Sequence, residues 1–184
     1  GPSLAMVTKH CLGGGRLNGL VTAWAHALGI AVYAFLTLIG LSVALHQAPL
    51  LFTSISYGGA AYLAYLGWKS LQSAGSSAQA LLKGEKVSLW QSAREGLLIS
   101  VLNPKIALFF IALFSQFVSL GHELSSKMVV VATPFVVDGL WYTFVTLLLS
   151  SPLIIDKLRE KSLLIDRISG VILIGLAVRV LVVA

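Results

Sequence analysis

The stretch EGLLISVLNPKIALFFIALFSQFVSL, from Glu95 to Leu120, decides the fold of this chain. It is long and apolar enough to cross a bilayer, which takes about 20 residues, yet Asn103, Pro104 and Lys105 interrupt it. Proline removes a backbone hydrogen-bond donor, and the carbonyl group that is left without a partner is costly in hydrocarbon. The charge of Lys105 at that depth costs at least about 2.5 kcal/mol. The stretch therefore predicts a broken membrane helix. Its interruption is either a functional site or a proline kink with Lys105 reaching toward the membrane edge.

Composition places the chain in the membrane class. Of its 184 residues, 57% are hydrophobic and 11% are charged, whereas a soluble domain of this length carries about 25% charged residues. The net charge of +6 does not indicate nucleic-acid binding, because the basic residues are spread singly along loops. The single cysteine, Cys11, excludes an internal disulfide. The scattered histidines indicate no metal site, and nothing in the sequence indicates a cofactor.

Apolar runs separated by polar loops predict an all-α, polytopic membrane protein with six transmembrane helices. Residues 1–8 have the composition of the end of a first helix, so we expect most of that helix to be missing from this chain. The spans besides the broken one are Leu17–Leu45, Leu50–Leu71, Met128–Leu149 and Ile168–Ala184. We predict a glycine-rich loop at Lys9–Arg16 and a charged loop at Asp156–Arg167.

The cations are distributed unequally between the loops. Among the even-numbered loops only the one with Lys127 carries a cation, whereas the odd-numbered loops and their flanks hold Lys9, Arg16, Lys69, Lys83, Lys86, Arg94, Lys157, Arg159, Lys161 and Arg167. By the positive-inside rule, the odd-numbered loops face the cytoplasm and the C-terminus lies outside. The polar stretch 74–94 then connects two three-helix halves, 1–73 and 95–184, of opposite orientation. This is the inverted-repeat plan of many secondary transporters.

Two polar groups are predicted to lie near the membrane midplane. Helical rise, about 1.5 Å per residue, places Asn103 about 12 Å from the cytoplasmic end of its span and Asp138 about 15 Å from the outer end. In a core about 30 Å thick, both positions are central. Asp138 is therefore either a functional group or a structural partner of Lys105 or Arg179.

These residue types suit an amino-acid zwitterion. A half-helix beginning after Pro104 would present unpaired N–H groups and the positive end of its dipole to a carboxylate, with Lys105 beside it. Asp138 suits an ammonium group, or a proton exchanged for one. Asn103 either caps the half-helix or contacts substrate.

Each remaining candidate has two interpretations. His26, in the second span, either relays protons near the midplane or hydrogen-bonds a neighbouring helix. Gln116 and Tyr142 either contact substrate or pack between helices. Gly1-Pro2 is either a remnant of protein expression or a break that corresponds to the interruption in the other half, and Gly/Pro breaks at corresponding places indicate a transport site.

Two segments resemble the LysE/RhtB amino-acid exporters, which include lysine, homoserine and threonine efflux proteins. GAAYLAYLGWKSL, Gly59–Leu71, is similar to the third-span signature of that family, and EGLLISVLNPKIALFFIALFSQFV, Glu95–Val118, to its Asn-Pro-Lys span. Gly1-Pro2 is similar to the end of the family's Pro-Gly-Pro motif, and GLAVRVLV from Gly175 resembles its final helix. The resemblance covers essentially the whole chain in order.

The resemblance implies a six-helix secondary exporter of small amino acids in a bacterial inner membrane, driven by the proton gradient. It implies functional roles for Gly1, Pro2, Asn103, Pro104 and Lys105. Family members often carry an acidic residue after the glycine of the second span, where this chain has Gly29-Ile30. That difference removes one candidate ion-coupling group and favours Asp138, with His26 as the second proton-coupling candidate.

Two other function classes are open. An intramembrane enzyme would need a nucleophile–base set or a metal cluster at depth, and the sequence has no HExxH, no GxSxG and no paired intramembrane carboxylates. We therefore predict a transporter and not an enzyme. A membrane-embedded scaffold would leave Asp138 and Lys105 dispensable. The predicted partners are the bilayer, a proton and an amino acid that is threonine- or homoserine-like or another neutral or basic one. The small residues of the third span would also permit a homodimer.

Overall fold

The computed structural model describes residues 2–72, 87–115 and 124–183, and this part of the chain is helical apart from short turns. The helices are α1 (Pro2–Gly14), α2 (Arg16–Gln47), α3 (Pro49–Leu71), α4 (Leu89–Val101), α5 (Pro104–Phe114), α6 (Leu124–Leu148), α7 (Pro152–Glu160) and α8 (Ser162–Val183). No strand occurs in these described ranges. The predicted all-α class is confirmed.

The helices have the dimensions and surface of a polytopic membrane protein. Within the described residues, Arg16–Leu41 and Ser125–Leu148 are long and apolar enough to cross a membrane, and α4 with α5 would count as a third span bent by 55°. α3 and α8 are 23 and 22 residues long. Large apolar side chains cover the outside of the bundle, as a lipid environment requires.

The predicted break in the fourth span is confirmed at Asn103. α4 ends at Val101 and α5 begins at Pro104, where the missing N–H of proline costs nothing because first-turn donors have no helical partner. The Asn103 side chain accepts a hydrogen bond from the backbone N–H of Lys105 at 3.0 Å, so it caps α5 as one interpretation predicted. The Tyr33 hydroxyl donates to the Val101 carbonyl oxygen at 2.6 Å and satisfies a group near the break.

The prediction of a loop over Lys9–Arg16 is wrong. α1 continues through Gly14, and the interruption is confined to Gly15, whose φ of 88° suits a residue without a side chain. The buried His10 explains the difference, because its ring nitrogens lie 2.9 Å from a Glu95 oxygen and 2.8 Å from the Ser92 hydroxyl of α4. These tertiary contacts outweigh the low helix propensity of glycine.

The prediction of a loop over Asp156–Arg167 is also wrong. α7 and the first turns of α8 occupy it, with a turn at Lys161. Charge content indicates only that a segment is solvated. It does not distinguish a loop from a short helix that exposes its charged side chains.

Glycines allow the helices to approach closely. The most extensive packing joins α3 to α8, α2 to α4 and α2 to α6. At Gly96, α4 reaches the backbone of Thr22 in α2, and at Gly67, α3 reaches the backbone of Gly170 in α8. Small residues at such crossings are the usual packing chemistry of membrane helices. Part of the small-residue face of α3 is used in this way, and homodimer formation stays a prediction.

Substituting Gly96 with alanine is expected to destabilise the protein. The added β-carbon would lie 2.5 Å from the Thr22 carbonyl oxygen, and overpacking of this kind costs about 1–3 kcal/mol. We expect a lower thermal unfolding midpoint in detergent. Gly40→Ala in α2 is the matched control, because its β-carbon meets nothing within 4 Å and alanine is the better helix former by about 1 kcal/mol. Equal midpoints for the two variants would contradict the packing of α4 on α2.

Candidate functional site

A cleft of about 780 Å³ lies between α5 and α6 and extends to α1, α2, α3 and α8. We call it the central cleft. Its polar lining residues are Ser3, His26, Asn103, Lys105, Thr133, Asp138 and Tyr142. Its apolar lining residues include Ile30, Leu66, Ile106, Phe109, Phe110, Leu113, Phe114, Val129, Val130, Val137 and Leu173. The volume is in the range of small-molecule sites, about 300–1,000 Å³.

The central cleft brings together most of the residues that the sequence singled out, from both halves of the chain. Its lining includes Pro2, His26, Asn103, Lys105, Asp138 and Tyr142. Pro104 begins α5 between two of them. Gly1 and Gln116 lie outside the described residues.

A histidine–carboxylate pair holds α2 against α6 at the cleft. His26 Nδ1 lies 2.7 Å from Asp138 Oδ2, and the two side chains are 2% and 18% exposed. The predicted hydrogen bond of His26 to a neighbouring helix is thereby confirmed. The sequence offered Lys105 or Arg179 as a structural partner of Asp138, and the structure adds His26, which that interpretation did not include.

Ser3 extends this pair into a chain of hydrogen bonds. Ser3 Oγ lies 2.9 Å from His26 Nε2. The Tyr142 ring also meets the His26 ring edge-on, with 5.2 Å between centroids. Because the Asp138 carboxylate only accepts, the neutral imidazole carries its proton on Nδ1 and accepts from the Ser3 hydroxyl at Nε2. The chain joins α1, α2 and α6.

The first N–H groups of α5 are already paired, so the prediction that they are free is wrong. The N–H of Lys105 donates to the Asn103 side chain at 3.0 Å, and those of Ile106 and Ala107 donate to the Asn103 carbonyl oxygen at 3.1 and 3.2 Å. The extended backbone of Asn103 places both oxygens over the first turn. What the half-helix offers an anion is therefore its dipole and the exposed Lys105 ammonium.

The model of one protein family, described as LysE type translocator, matches residues 1–183. The chain belongs to this family. The Uncharacterized membrane protein YrhP of Bacillus subtilis is 28% identical over 97% of this chain and 90% of that protein. The Leucine efflux protein of Salmonella typhimurium is 28% identical over 97% of this chain and 86% of that protein. The Uncharacterized membrane protein PA4757 of Pseudomonas aeruginosa is 36% identical over 66% of this chain and 58% of that protein. No solved structure gives a significant match.

Membership of the LysE type translocators confirms the resemblance and identifies the chain as a membrane transporter with amino-acid exporters among its relatives. A protein of this class moves its substrate across the membrane and does not convert it chemically. The polar and the apolar lining residues of the central cleft are the two sets of groups that a substrate would meet.

The sequence did not reveal Ser3 as a member of the site. A serine in a short apolar run is common in helices, and its partners His26 and Asp138 lie 23 and 135 residues further along the chain. In this translocator the three side chains have the hydrogen-bond order of a Ser-His-Asp hydrolase triad. No local motif could indicate a set that three separate helices bring together.

Proposed function

We propose that this LysE type translocator exports amino acids with a large apolar side chain, of the leucine type, in exchange for protons. The observation that carries the proposal is the central cleft, where a hydrogen-bonded His26–Asp138 pair and Lys105 share one cavity with an extended apolar wall. We further propose that the membrane is the bacterial inner membrane, with the odd-numbered loops in the cytoplasm.

The charges of the cleft match the two charges of a zwitterion. In the described residues no ion pair joins Lys105 to Asp138, so neither charge is neutralised by the other. The Lys105 ammonium, with the α5 dipole behind it, binds the substrate carboxylate. Asp138 binds the substrate ammonium. The contact with Asp138 is strengthened by the lower dielectric around a side chain that is only 18% exposed.

The apolar wall determines which side chain the cleft accepts. Phe109 and Leu113 of α5, Leu66 of α3 and Leu173 of α8 face the same space as the charged groups. Burying an aliphatic side chain there stabilises the complex by about 25 cal/mol per Å². A basic side chain would need a second anion, and Asp138 is the only carboxylate among the described lining residues. Leucine-like substrates are therefore favoured over lysine and over threonine.

Competition for Asp138 couples the substrate to the proton. When His26 is protonated, the imidazolium neutralises the carboxylate 2.7 Å away, and a substrate ammonium gains little there. When His26 is neutral, the carboxylate charge is free to hold the ammonium. The cleft therefore carries either the extra proton or the substrate. If it opens alternately to the two sides of the membrane in both of these states, the protein exchanges the proton for the substrate.

Counterflow in proteoliposomes tests the proposed function. Vesicles loaded with unlabelled amino acid are diluted into labelled leucine, threonine or lysine, and accumulation of label is followed with and without a pH gradient. We expect leucine to accumulate fastest and lysine slowest, with the final level dependent on the gradient. Equal rates for all three, or no accumulation of any, would contradict the proposal.

Ser3→Ala is expected to shift the pH profile of transport and to leave the protein active. The Ser3 hydroxyl donates to neutral His26 and accepts from protonated His26. The second contact is the stronger, because hydrogen bonds to charged groups exceed neutral ones by about 1 kcal/mol. Without the hydroxyl, the His26–Asp138 pair loses its hydrogen bond to α1 in both states, and we expect the pH profile of leucine counterflow to shift.

Ser3→Thr is the matched control, since it keeps the hydroxyl and is expected to keep the profile. An unchanged profile in Ser3→Ala would remove Ser3 from the coupling chain. Covalent labelling of Ser3 by a fluorophosphonate, together with complete loss of function in Ser3→Ala, would instead favour acyl transfer by the same three residues.

A further inference from the structure

The contacts between helices divide the molecule into two groups that do not follow the two halves of the sequence. The first group is α1, α2, α4 and α6, and the second is α3, α5 and α8. Each group takes helices from both sides of the connection between α3 and α4. The most extensive packing, α2 on α4, α2 on α6 and α3 on α8, lies inside these groups, whereas α2 touches its sequence neighbour α3 only slightly.

Hydrogen bonds hold each group together. In the first group, Lys9 of α1 pairs with Glu95 of α4 at 3.0 Å, Asn18 of α2 donates to Ser92 of α4 at 2.8 Å, and His26 of α2 meets Asp138 of α6. In the second group, Ser70 of α3 donates to the Asp166 carbonyl oxygen of α8 at 2.6 Å. Hydrogen bonds are directional, so helices joined in this way move together.

The close approaches at glycines and the small clusters of buried apolar residues follow the same two groups of helices. An added β-carbon at Gly29 would meet Ser100, which joins α2 to α4, and one at Gly59 would meet Ala112, which joins α3 to α5. The cluster of Ala60, Leu63, Ala112 and Ala177 lies wholly within the second group. Cys11 and Val145 of the first group form another cluster with Leu149, which directly follows α6.

The boundary between the groups has a different character. It is formed by an apolar cluster in which Ile30, Ala34, Leu38 and Leu41 of α2 meet Phe110 and Phe114 of α5. Apolar contacts are non-directional, so two such surfaces can shift against each other without breaking specific bonds. The central cleft lies on this boundary, because His26 and Asp138 belong to the first group and Lys105 and Leu66 to the second.

Two narrow connections between the groups are suited to act as hinges. α2 passes into α3 through the single residue Ala48, whose φ of −145° and ψ of 70° are not helical. α4 passes into α5 through Leu102 and Asn103, where the chain bends by 55°. A few residues at the ends of helices are enough to absorb a domain rotation.

We propose that transport moves the second group as one rigid body against the first, opening and closing the central cleft, and that the two sequence halves are not the moving units. This inference rests on the proposed function, because it names the motion by which that site would be exposed to each side. It assigns Asp138 and Lys105 to opposite moving bodies, so that binding a zwitterion between them draws the two bodies together.

Distances between spin labels separate this motion from a motion of the two halves. Four exposed positions near the predicted cytoplasmic ends carry the labels after substitution by cysteine in a Cys11→Ser background: Leu17 in α2, Lys69 in α3, Arg94 in α4 and Arg167 in α8. Leucine and pH are varied in reconstituted protein, and leucine counterflow is measured on the same labelled samples. The two motions predict opposite sets of changes.

Our inference predicts constant distances for Leu17–Arg94 and Lys69–Arg167 and changed distances for Leu17–Lys69 and Arg94–Arg167. The reverse pattern, or no change of any pair in samples active in counterflow, would overturn it and leave the proposed function intact. Failure of counterflow would instead count against the proposed function. In that case the labelled samples without leucine still test the grouping. It predicts narrow distance distributions for pairs within a group and broader ones for pairs between groups. Equal widths would contradict it.

Discussion

Replacing Asp138 with asparagine is expected to abolish proton-coupled export while leaving the protein folded. The amide keeps the size of the side chain and a hydrogen bond to His26, but it removes the negative charge that the proton and the substrate ammonium share. Truncating one member of a desolvated charge pair costs about 2–5 kcal/mol, which corresponds to a loss of roughly 30-fold or more in leucine counterflow. Asparagine cannot replace this charge, whatever the pH.

Substrate analogues supply the matched control for this variant. A leucine derivative whose amino group is acetylated has no ammonium to lose, so its weak binding should be the same in wild type and in Asp138→Asn. Thermal unfolding checks that the variant is intact. Leucine counterflow at the wild-type rate in Asp138→Asn would remove the carboxylate from the site.

Replacing Lys105 with alanine is expected to raise the KM for leucine with a smaller effect on the maximal rate. The ammonium contacts the substrate carboxylate already in the bound ground state, and loss of such uniform binding appears in KM. A hydrogen bond to a charged group is worth about 1.5–3 kcal/mol, so we expect a KM higher by roughly 10- to 100-fold. Initial rates over a range of leucine concentrations provide the measurement.

Two comparisons make this result specific. Lys105→Arg keeps the positive charge and should recover part of the affinity. Leucinamide lacks the carboxylate, so wild type and Lys105→Ala should handle it alike. An equal loss for leucine and leucinamide would show that Lys105 acts on the structure of α5 and not on the carboxylate.

The break in the fourth span and its cap could be predicted from sequence because the cause is local. Asn103, Pro104 and Lys105 lie side by side in an apolar run, and the chemistry of proline acts on its own turn. The central depth of Asp138 is a prediction from counting residues along a helix of nearly constant rise, and it stays a prediction. The location of these residues in one cleft followed only from the assumption of two similar halves.

The partners of these residues could not be predicted, because they come from other helices. His26 and Asp138 are 112 residues apart, and nothing in either sequence neighbourhood indicates the other. The same reason explains why α1 continues helically through Gly14, since His10 stabilises it through contacts with α4. The paired N–H groups of α5 depend on the backbone angles of Asn103, which residue type alone does not determine.

The grouping of the helices into two packed bodies could not be predicted from the sequence either. An inverted repeat indicates how the chain is built, and it suggests by default that the two halves move as units. The proposed moving units depend instead on close helix packing and on hydrogen bonds between helices. The approach of Gly96 to Thr22 and the hydrogen bond from Ser70 to the Asp166 carbonyl oxygen are examples that only the structure reveals.

The exchange of a proton for a substrate at Asp138 is the central claim, and lumenal pH tests it most directly. Proteoliposomes loaded with leucine and a pH-sensitive dye are diluted into leucine-free buffer, so that leucine leaves down its gradient. The account predicts that the lumen acidifies as leucine leaves, and that vesicles with Asp138→Asn show no acidification. Leucine efflux without a pH change in the wild type, or equal acidification in the variant, would contradict it.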